Sequence, residues 1–482
     1  MTGLQEKLNS AICTISPTWA LRRRAAQFAY DALATDRTRS GRRASGKITA
    51  AGGLTDADLE TLRDTAIDLS MNNPLVEGIL LTEADDVVGT ETQIQARSED
   101  EGWNRETEAA FKAECIDQPC DNTGRWNYHQ IVHKAFHSYR SHGDFFLIRT
   151  PYGPQCVEAN RCGTPIDQRG TKEEGITVIH GVAVSDTTEQ VVGYYIGKPN
   201  KWGYIAVDKW KKYPVFETDG IKQWRADVIH HVFNPQRVSF TRGIPALTSA
   251  VTTIYKLFGY IDAELVAAKV HACLSLFIQV SDNNRVPSPF TQGRFSGGQT
   301  DLHQKVEKLE PGMIKYLNLN EEIKPVTPNR PANAFDMFVM RMLMFIGRPL
   351  CMPLVLTALD FAQATYMNMR GALQQAQKNY KREQEHVVKP LASTCYRWWL
   401  RQAIAAKRIK EIKTAYRHEV MCQRWPYVDP YKQAMADKIE LANGTELRSR
   451  ILARKGIDPG EFYEQQEKER KHGSQSASQE AA

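Results

Sequence analysis

The chain has 482 residues, of which 42% are hydrophobic and 24% are charged, with a formal net charge of +6. This length suggests roughly two to four domains, and the apolar content excludes a wholly disordered chain. No apolar run approaches the roughly 18 residues needed to span a bilayer, so no membrane partner is expected. The N-terminus also lacks an apolar signal region. An odd number of cysteines, nine, favours reduced thiols over a disulfide framework.

The positive charge is concentrated at the N-terminus. Residues 1–50 contain nine basic and three acidic residues, so their net charge of +6 equals that of the whole chain. A basic arm on a neutral body is typical of a segment that meets phosphate or an acidic surface. A solvated arm without an ordered partner is the alternative. We define residues 1–54 as the basic arm; its candidate contact residues are Arg22, Arg23, Arg24, Arg37, Arg39, Arg42 and Arg43.

The first part of the body is predicted to be helical. Thr55 can cap a helix whose first turn carries Asp56 and Asp58. Pro74 ends that helix and begins the next, because proline disfavours helix in the residue before it. The predicted elements are helices over 55–71, 75–88, 104–114 and 127–139, and a strand over 90–97.

Beyond residue 143 the pattern changes to short β-prone runs separated by Gly, Pro and Asp. The predicted strands are Phe145–Ile148, Ile176–Ile179, Val191–Ile196 and Val228–Phe233. Helices in front of strands indicate an α+β fold.

The second half is predicted to be mainly helical, with an insert. A helix should run from Pro245 to about Ala272, and residues 273–330 should form a mixed insert. Two prolines exclude a continuous helix over 347–354. Other predictions are strands at 274–280 and 314–319, a helix from Ala334, a helix over 364–410 kinked at Pro390, and a helical pair, 431–443 and 445–454.

Several motifs, in this order, resemble the lambda-type portal proteins of tailed bacteriophages over most of residues 55–465. Each match is modest, and the specificity comes from their order. The matching motifs are Asn72-Asn73-Pro74-Leu75, Asp86-Val87-Val88-Gly89-Thr90, Gly181 to Asp186, Gly193-Tyr194-Tyr195-Ile196, Thr241-Arg242-Gly243-Ile244-Pro245 and Tyr366-Met367-Asn368-Met369-Arg370.

The resemblance implies a portal fold assembled as a cyclic, dodecameric ring closed by head-to-tail contacts. A clip domain inserted between the two stem helices must project from one end of them. The implied divisions are a wing at 55–243, stem helices at 244–272 and 334–350, a clip at 273–333, a tunnel loop at 351–366, a long wing helix at 367–405, a helical crown at 406–465 and a disordered tail at 466–482.

The resemblance also implies the function. A portal sits in the virion at one capsid vertex, is assembled in the host cytoplasm, and passes double-stranded DNA during packaging and ejection. Its implied partners are the terminase large subunit, the major capsid protein or scaffold, and head-completion or adaptor proteins. No catalytic residue, cofactor or metal is expected. Contact with capsid or scaffold, contact with DNA, and proteolytic removal all stay open for the basic arm.

The implied tunnel loop has a composition suited to sliding DNA. A channel lined by many Lys and Arg side chains would bind phosphates and stall the duplex, whereas residues 354–365 contain one charge in twelve. Composition alone favours an ordinary buried loop, and the resemblance reverses this preference in favour of the channel. The predicted channel residues are Leu354, Val355, Leu356, Thr357, Ala358, Leu359, Phe361, Gln363 and Thr365.

Four cations flank this loop: Arg348, Arg370, Lys378 and Lys381. They could meet DNA phosphates or neighbouring subunits, and ordinary surface ion pairs are the alternative. The aromatic residues Tyr396, Trp398 and Trp399 are interpreted as packing rather than nucleotide stacking.

A metal-dependent nucleic-acid-processing enzyme is the competing hypothesis. Three histidines share one helical face, and nearby cysteines could join them at a zinc site, although the spacing matches no common zinc motif. A polar helix face is the alternative. The residues concerned are His129, His133, His137, Cys115, Cys120, Cys156 and Cys162. A near-match to a phosphate-binding loop at Gly41–Ile48 lacks the Ser or Thr that would hold Mg²⁺.

Overall fold

The computed structural model describes residues 54–89, 92–165, 175–203, 205–218, 223–225, 227–233, 235–273, 277–280, 321–324, 332–362, 365–423, 425, 429–448, 451–452, 462–463, 465–467 and 469–470. The chain forms two compact units, and the smaller, Thr252–Leu343, is inserted into the larger. Apart from Leu54, the basic arm and its arginines lie outside the described residues. No described helix is long and apolar enough to cross a membrane.

The first two helices begin where the sequence predicts. The Thr55 side chain accepts from the Asp58 N–H, and the Asp58 carboxylate accepts from the Thr55 N–H. Asn73 caps the next helix in front of Pro74. The helices are α1 Asp56–Asn72, α2 Pro74–Val87, α3 Glu101–Phe111, α4 Tyr128–His142, α5 Val251–Cys273, α6 Ala332–Gly347, α7 Leu354–Ala358, α8 Tyr366–Glu383, α9 Lys389–Ala405 and α10 Pro430–Ala442.

The four strands predicted between residues 145 and 233 are confirmed, and every strand pair in the described residues is antiparallel. The sheets have the strand orders β10-β2-β3, β4-β5-β6-β7, β1-β13, β8-β9 and β11-β12. The strands are β1 Gln93–Ala96, β2 Asp144–Thr150, β3 Gly153–Glu158, β4 Ile176–Ile179, β5 Val182–Ser185, β6 Val191–Gly197, β7 Trp210–Pro214, β8 Phe216–Thr218, β9 Gln223–Arg225, β10 Ile229–Phe233, β11 Phe277–Val280, β12 Glu321–Lys324 and β13 His418–Met421.

The main core of the larger unit lies around α4 and α9. The Phe111 ring meets the rings of Tyr128, Tyr396 and Trp399 edge-on, with centroids 5.0–5.4 Å apart, an arrangement that adds to the gain from apolar burial. Tyr396, Trp398 and Trp399 are all buried. The interpretation of this aromatic cluster as packing is therefore confirmed.

The helix predicted from Pro245 begins six residues later, at Val251. The Ala246 N–H donates to the Arg140 carbonyl, and the Thr248 N–H donates to the Pro245 carbonyl in a tight turn. Residues 245–250 form turns instead of an α-helix, because the N–H groups of Thr248 and Ala250 bond carbonyls three residues earlier rather than four.

The helix predicted over 364–410 is divided by a π turn at Gln384–Val388. Pro390 has no N–H for the carbonyl of His386, and its ring would clash with that carbonyl in a regular helix. The Lys389 N–H instead bonds the Gln384 carbonyl, five residues earlier, so the disruption expected at Pro390 takes the form of a π turn. A second π turn, Lys112–Ile116, ends the helix predicted over 104–114.

The segment after α9 is not helical, contrary to the prediction of a helical crown from residue 406. It contains β13, which pairs with β1, and its apolar residues Ile409, Ala415 and Val420 are buried in the main core. The helical pair is confirmed where it is described: α10 ends before Gly444, whose φ is +68°, and residues 448, 451 and 452 are helical.

The smaller unit contains most of α5 and α6 together with the β11–β12 ladder. The Tyr260 ring stacks on Phe335 and meets Phe338 edge-on, so aromatic contacts join the two helices. The strand predicted at 274–280 is confirmed over Phe277–Val280. The strand predicted at 314–319 lies outside the described residues.

Candidate nucleic-acid interface

The predicted tunnel loop begins with a sharp reversal after α6. A 3₁₀ turn covers Arg348–Leu350, and Cys351 adopts a left-handed conformation with φ +54°. The Cys351 N–H donates to the Arg348 carbonyl and the Met352 N–H to the Gly347 carbonyl, both at 3.0 Å. This pair of bonds is a Schellman motif, which satisfies the free carbonyls of the helix end.

A close approach between Gly347 and Thr357 fixes the base of the loop. A Cβ added at Gly347 would lie 2.3 Å from Thr357 Oγ1 and 3.0 Å from the Met352 carbonyl oxygen, so only glycine fits without a shift. Thr357 Oγ1 donates to the Pro353 carbonyl at 3.1 Å. Thr357 is therefore buried rather than presented to solvent.

The middle of the loop is a short helix, α7, rather than an extended segment. Leu356 packs against the main core, whereas Leu359, with φ +49°, is 60% exposed and Phe361 is 49% exposed. The Ala362 N–H donates to Asp360 Oδ1 at 2.9 Å, which tightens the turn at this tip. The loop therefore has a packed base and an exposed apolar tip.

The remaining predicted channel residues occupy intermediate positions. Leu354, Val355 and Ala358 are half-buried in α7, and Thr365 is exposed where its side chain caps α8. Gln363 lies outside the described residues. Exposure therefore separates Leu359, Phe361 and Thr365 from the other channel candidates.

All four flanking cations are exposed: Arg348, Arg370, Lys378 and Lys381. Within the described part of the chain, none of them forms an ion pair. The first ten residues of α8 also include no buried residue. The N-terminal half of this helix is therefore an exposed surface of the larger unit that carries Arg370, with Lys432 over the Tyr366 ring at its start.

Sequence reasoning missed a buried charge cluster centred on Asp144. Its carboxylate accepts from Arg63 Nη2 and Arg242 Nε, each at 2.5 Å, and from the Gly243 N–H, with His231 Nε2 3.2 Å away. Burial alone would raise the pKa of Asp144, but the two guanidinium groups outweigh it and hold the pKa well below its usual range.

Two glycines allow this cluster to form. A Cβ on Gly243 would lie 1.9 Å from the Gly143 carbonyl oxygen, and one on Gly143 would lie 2.7 Å from the Ile244 nitrogen. The sequence signal was the pair of short motifs Gly143-Asp144 and Arg242-Gly243. Nothing local indicates that they meet, because about a hundred residues separate them.

A second buried cluster joins α2, α4 and α8. Arg140 binds Glu83 through two hydrogen bonds, one of them at 2.8 Å from Nε, and Tyr139 Oη donates to Glu383 at 3.1 Å. Burial raises the pKa of Glu83. Because Glu383 is near the end of α8, these bonds anchor the helix that returns from the loop.

Two of the three histidines of the zinc hypothesis lie beside separate carboxylates instead of a common centre. His133 Nε2 lies 3.0 Å from Asp85 Oδ1, and His137 Nε2 lies 3.5 Å from Glu77. The cysteines belong to the cores, and burial raises the pKa of Cys156 to about 12. Within the described residues, no three His, Cys, Asp or Glu side chains are grouped to hold a metal.

Comparison with known proteins identifies the family. The sequence model of the family described as phage portal protein, lambda family, matches residues 37–384. The chain belongs to the lambda family of phage portal proteins. It is also 23% identical over 430 residues to a probable portal protein of Halomonas phage phiHAP-1, covering 85% of this chain and 79% of that protein.

Solved structures of gene transfer agent particles are more distant. One, from the virion of the native particle, has a TM-score of 0.44 at 14% identity and covers 87% of this portal and 97% of that chain. Another, from the neck of the empty particle, has a TM-score of 0.46 at 14% identity, with 82% and 94% covered. These superpositions are loose, so the family assignment depends on the sequence match.

Membership of this family makes the protein a portal, or head-tail connector. The family is structural. The competing hypothesis of a metal-dependent nucleic-acid-processing enzyme gains no support from the comparisons.

Proposed function

We propose that this portal assembles into a ring of about twelve subunits at one vertex of a phage capsid. Double-stranded DNA passes through the ring during packaging and ejection. The terminase large subunit, the capsid or scaffold protein and the head-completion proteins bind to it. The match of the family model to residues 37–384 carries this proposal.

The two-unit organisation supports an assignment of the portal domains. The chain passes from the larger unit into Thr252–Leu343 through one helix and returns through another. This connectivity is expected of a stem and clip inserted into a wing. We assign the wing to residues 55–243 and extend it through 406–425, because β13 pairs with β1. The crown then begins near α10.

The exposed tip of the loop supports its assignment as the DNA contact. Apolar side chains exclude water beside the duplex without binding individual phosphates, so they let it slide. Leu359 and Phe361 have the exposure this role needs, whereas Leu356 and Thr357 serve the fold. We assign Arg348, Arg370, Lys378 and Lys381 to contacts with a neighbouring subunit or with phosphates.

The ring is tested by the mass of the full-length protein in solution. Sedimentation or native mass spectrometry should give about twelve times the subunit mass of 54.6 kDa, and negative-stain images should show a central hole. A protein that stays monomeric at high concentration, even with its scaffold, would contradict the proposal.

The proposed DNA contact is tested by substitutions at the exposed tip of the tunnel loop that leave the packed part of the loop unchanged. Phe361→Ser and Leu359→Ser should form rings normally yet reduce the yield of DNA-filled heads several-fold. Met71→Ser is the matched control, because Met71 is also apolar and exposed but lies on α1. Normal packaging by both tip variants would show that this loop does not contact DNA.

Leu356→Ser should behave differently from the tip variants. Leu356 packs against the main core, so its loss should destabilise the fold by about 2–4 kcal/mol and lower the yield of soluble rings. If Leu356→Ser instead gave stable rings with a pure packaging defect, the division into packed base and exposed tip would be wrong.

A further inference from the structure

A cavity of about 610 Å³ opens at the surface of the larger unit. Trp398 and Trp399 of α9, Ile131 of α4 and the turn between β2 and β3 line it, and Tyr152 at its mouth is 82% exposed. Its volume falls within the roughly 300–1,000 Å³ of ligand sites and exceeds one aromatic side chain. It shares no lining residue with the tunnel loop.

The walls of the cavity are mostly apolar and uncharged. Three cysteines, Cys115, Cys120 and Cys395, line it as thiols. A hydrogen bond with Cys120 and burial raise the pKa of Cys115, and burial raises that of Cys395. Neutral thiols beside indole rings suit an apolar or aromatic ligand group.

Buried donors without an acceptor also line the cavity. Within the described residues, Arg149 Nη1 and Trp398 Nε1 are shielded from solvent and make no hydrogen bond. Buried donors are almost always paired in folded proteins, because an unpaired one is unfavourable. Arg149, which lines the cavity and is only half-buried, is the residue of the two that can gain an acceptor from a ligand.

The charge of the lining favours an anion. Three guanidinium groups, those of Arg149, Arg401 and Arg408, face one carboxylate, Glu114. Glu114 is engaged by Arg408 and by Trp399 Nε1, and Arg401 lies 3.6 Å from Asp227. Arg149 is therefore the cation left to pair with an incoming negative charge.

We propose that this cavity binds an acidic peptide segment of another protein. An aromatic or large apolar side chain of the segment enters the cavity, and a neighbouring carboxylate binds Arg149. The Arg–carboxylate geometry supplies two parallel hydrogen bonds. Nucleic acid fits less well, because two of the three arginines already have carboxylate partners and the walls are apolar.

The probe is the peptide Ac-Ser-Asp-Phe-Glu-Ser-amide, titrated into the assembled full-length protein by calorimetry. Its matched controls are the same peptide with Asn and Gln in place of the acids, and with Ala in place of Phe. The acidic aromatic peptide should bind. Each control should bind about tenfold more weakly, because each lacks one of the two recognised groups.

Variants of the portal locate the binding. Arg149→Gln should weaken binding of the probe about tenfold, and Ala405→Trp should weaken it by occupying part of the cavity while leaving Arg149 unchanged. Arg417→Gln removes an exposed arginine outside the cavity and should bind as the unchanged protein does. Melting temperatures confirm that each variant is folded.

Three results would overturn the proposal. The first is no binding of the acidic aromatic peptide at about 1 mM. The second is equal binding of the neutral peptide, or of the probe by the folded Arg149→Gln and Ala405→Trp variants. The third is displacement of the peptide by a short oligothymidylate, which would assign the cavity to single-stranded nucleic acid.

Discussion

Asp144 receives contacts from three other segments of the chain, through Arg63, His231 and the Arg242-Gly243 pair. Such a cluster holds α1, β10 and the segment before α5 at one point. A buried ion pair gives little net stability when it is complete, but the loss of one partner leaves an uncompensated charge in the interior. The consequences of single substitutions here should therefore be large.

Asp144→Asn should lower the free energy of unfolding by about 3–5 kcal/mol, because Arg63 and Arg242 stay buried without their counter-charge. Denaturant titration of the full-length protein measures this. Glu419→Gln is the control: its pair with Arg97 is more than half exposed and should change stability by less than about 1 kcal/mol. Equal effects of the two substitutions would contradict the prediction.

The same carboxylate has a defined pH dependence. Its folded pKa is below the value of about 3.9 in an unfolded chain. Its contribution is therefore present at neutral pH and is lost as pH falls below about 4. Asp144→Asn should lack this acid-induced loss.

His142 should make the protein less stable between pH 6.5 and about 4. Burial lowers its pKa to about 4, and the charges of His137 and Arg63 act in the same direction. In this window the unfolded chain binds a proton that the folded chain does not. The free energy of unfolding therefore decreases as the pH is lowered, by at most about 3 kcal/mol. His142→Asn should flatten this slope in unfolding experiments; an unchanged slope would assign it to other histidines.

At the scale of elements, the sequence correctly predicted the helix starts and breaks that depend on bonds between neighbouring residues. The cap at Thr55, the helix boundary at Pro74 and the break at Gly347–Leu354 are set by neighbouring residues, and the structure agrees with them. The path of residues 245–250 depends on a bond from Ala246 to Arg140. β13 is short and polar and owes its conformation to β1, so no local pattern marked it.

The candidate interface could be predicted only in outline. The low charge of residues 354–365 is visible in the sequence. The difference between buried Thr357 and exposed Leu359 is not, because it depends on the close approach to Gly347.

Gly347→Ala should disturb the base of the loop, since its Cβ would clash with Thr357 Oγ1. Overpacking of this kind costs about 1–3 kcal/mol. Thr357→Ala removes the clashing oxygen, so the double variant should recover part of the loss, and a double-mutant cycle measures the coupling. Strictly additive effects would mean that the two residues do not restrain each other.

At the scale of the whole molecule, residues 409–425 complete a core that also contains side chains from residues 84–147. Trp425 Nε1 donates to the Asp86 carbonyl at 2.6 Å, and Ile409, Ala415 and Val420 fill the main core. These contacts support our proposal that the wing extends beyond these residues.

Truncation distinguishes the wing from the crown. A chain ending at Trp425 should keep the cooperative unfolding of the larger unit, whereas one ending at Ala405 should be insoluble, because apolar core surface is left uncovered. Circular dichroism and soluble yield measure the difference. A stable, cooperatively folded chain ending at Ala405 would show that β13 is dispensable.

The pairing of β1 with β13 has a consequence for synthesis on the ribosome. At about 5–20 residues per second, the ribosome needs on the order of 15–65 s to go from Ala96 to Met421. During that time the apolar side chains beside β1 lack their final cover. β1 therefore stays without its partner strand until Met421 has been synthesised, and we expect the nascent chain to need protection from aggregation during that time.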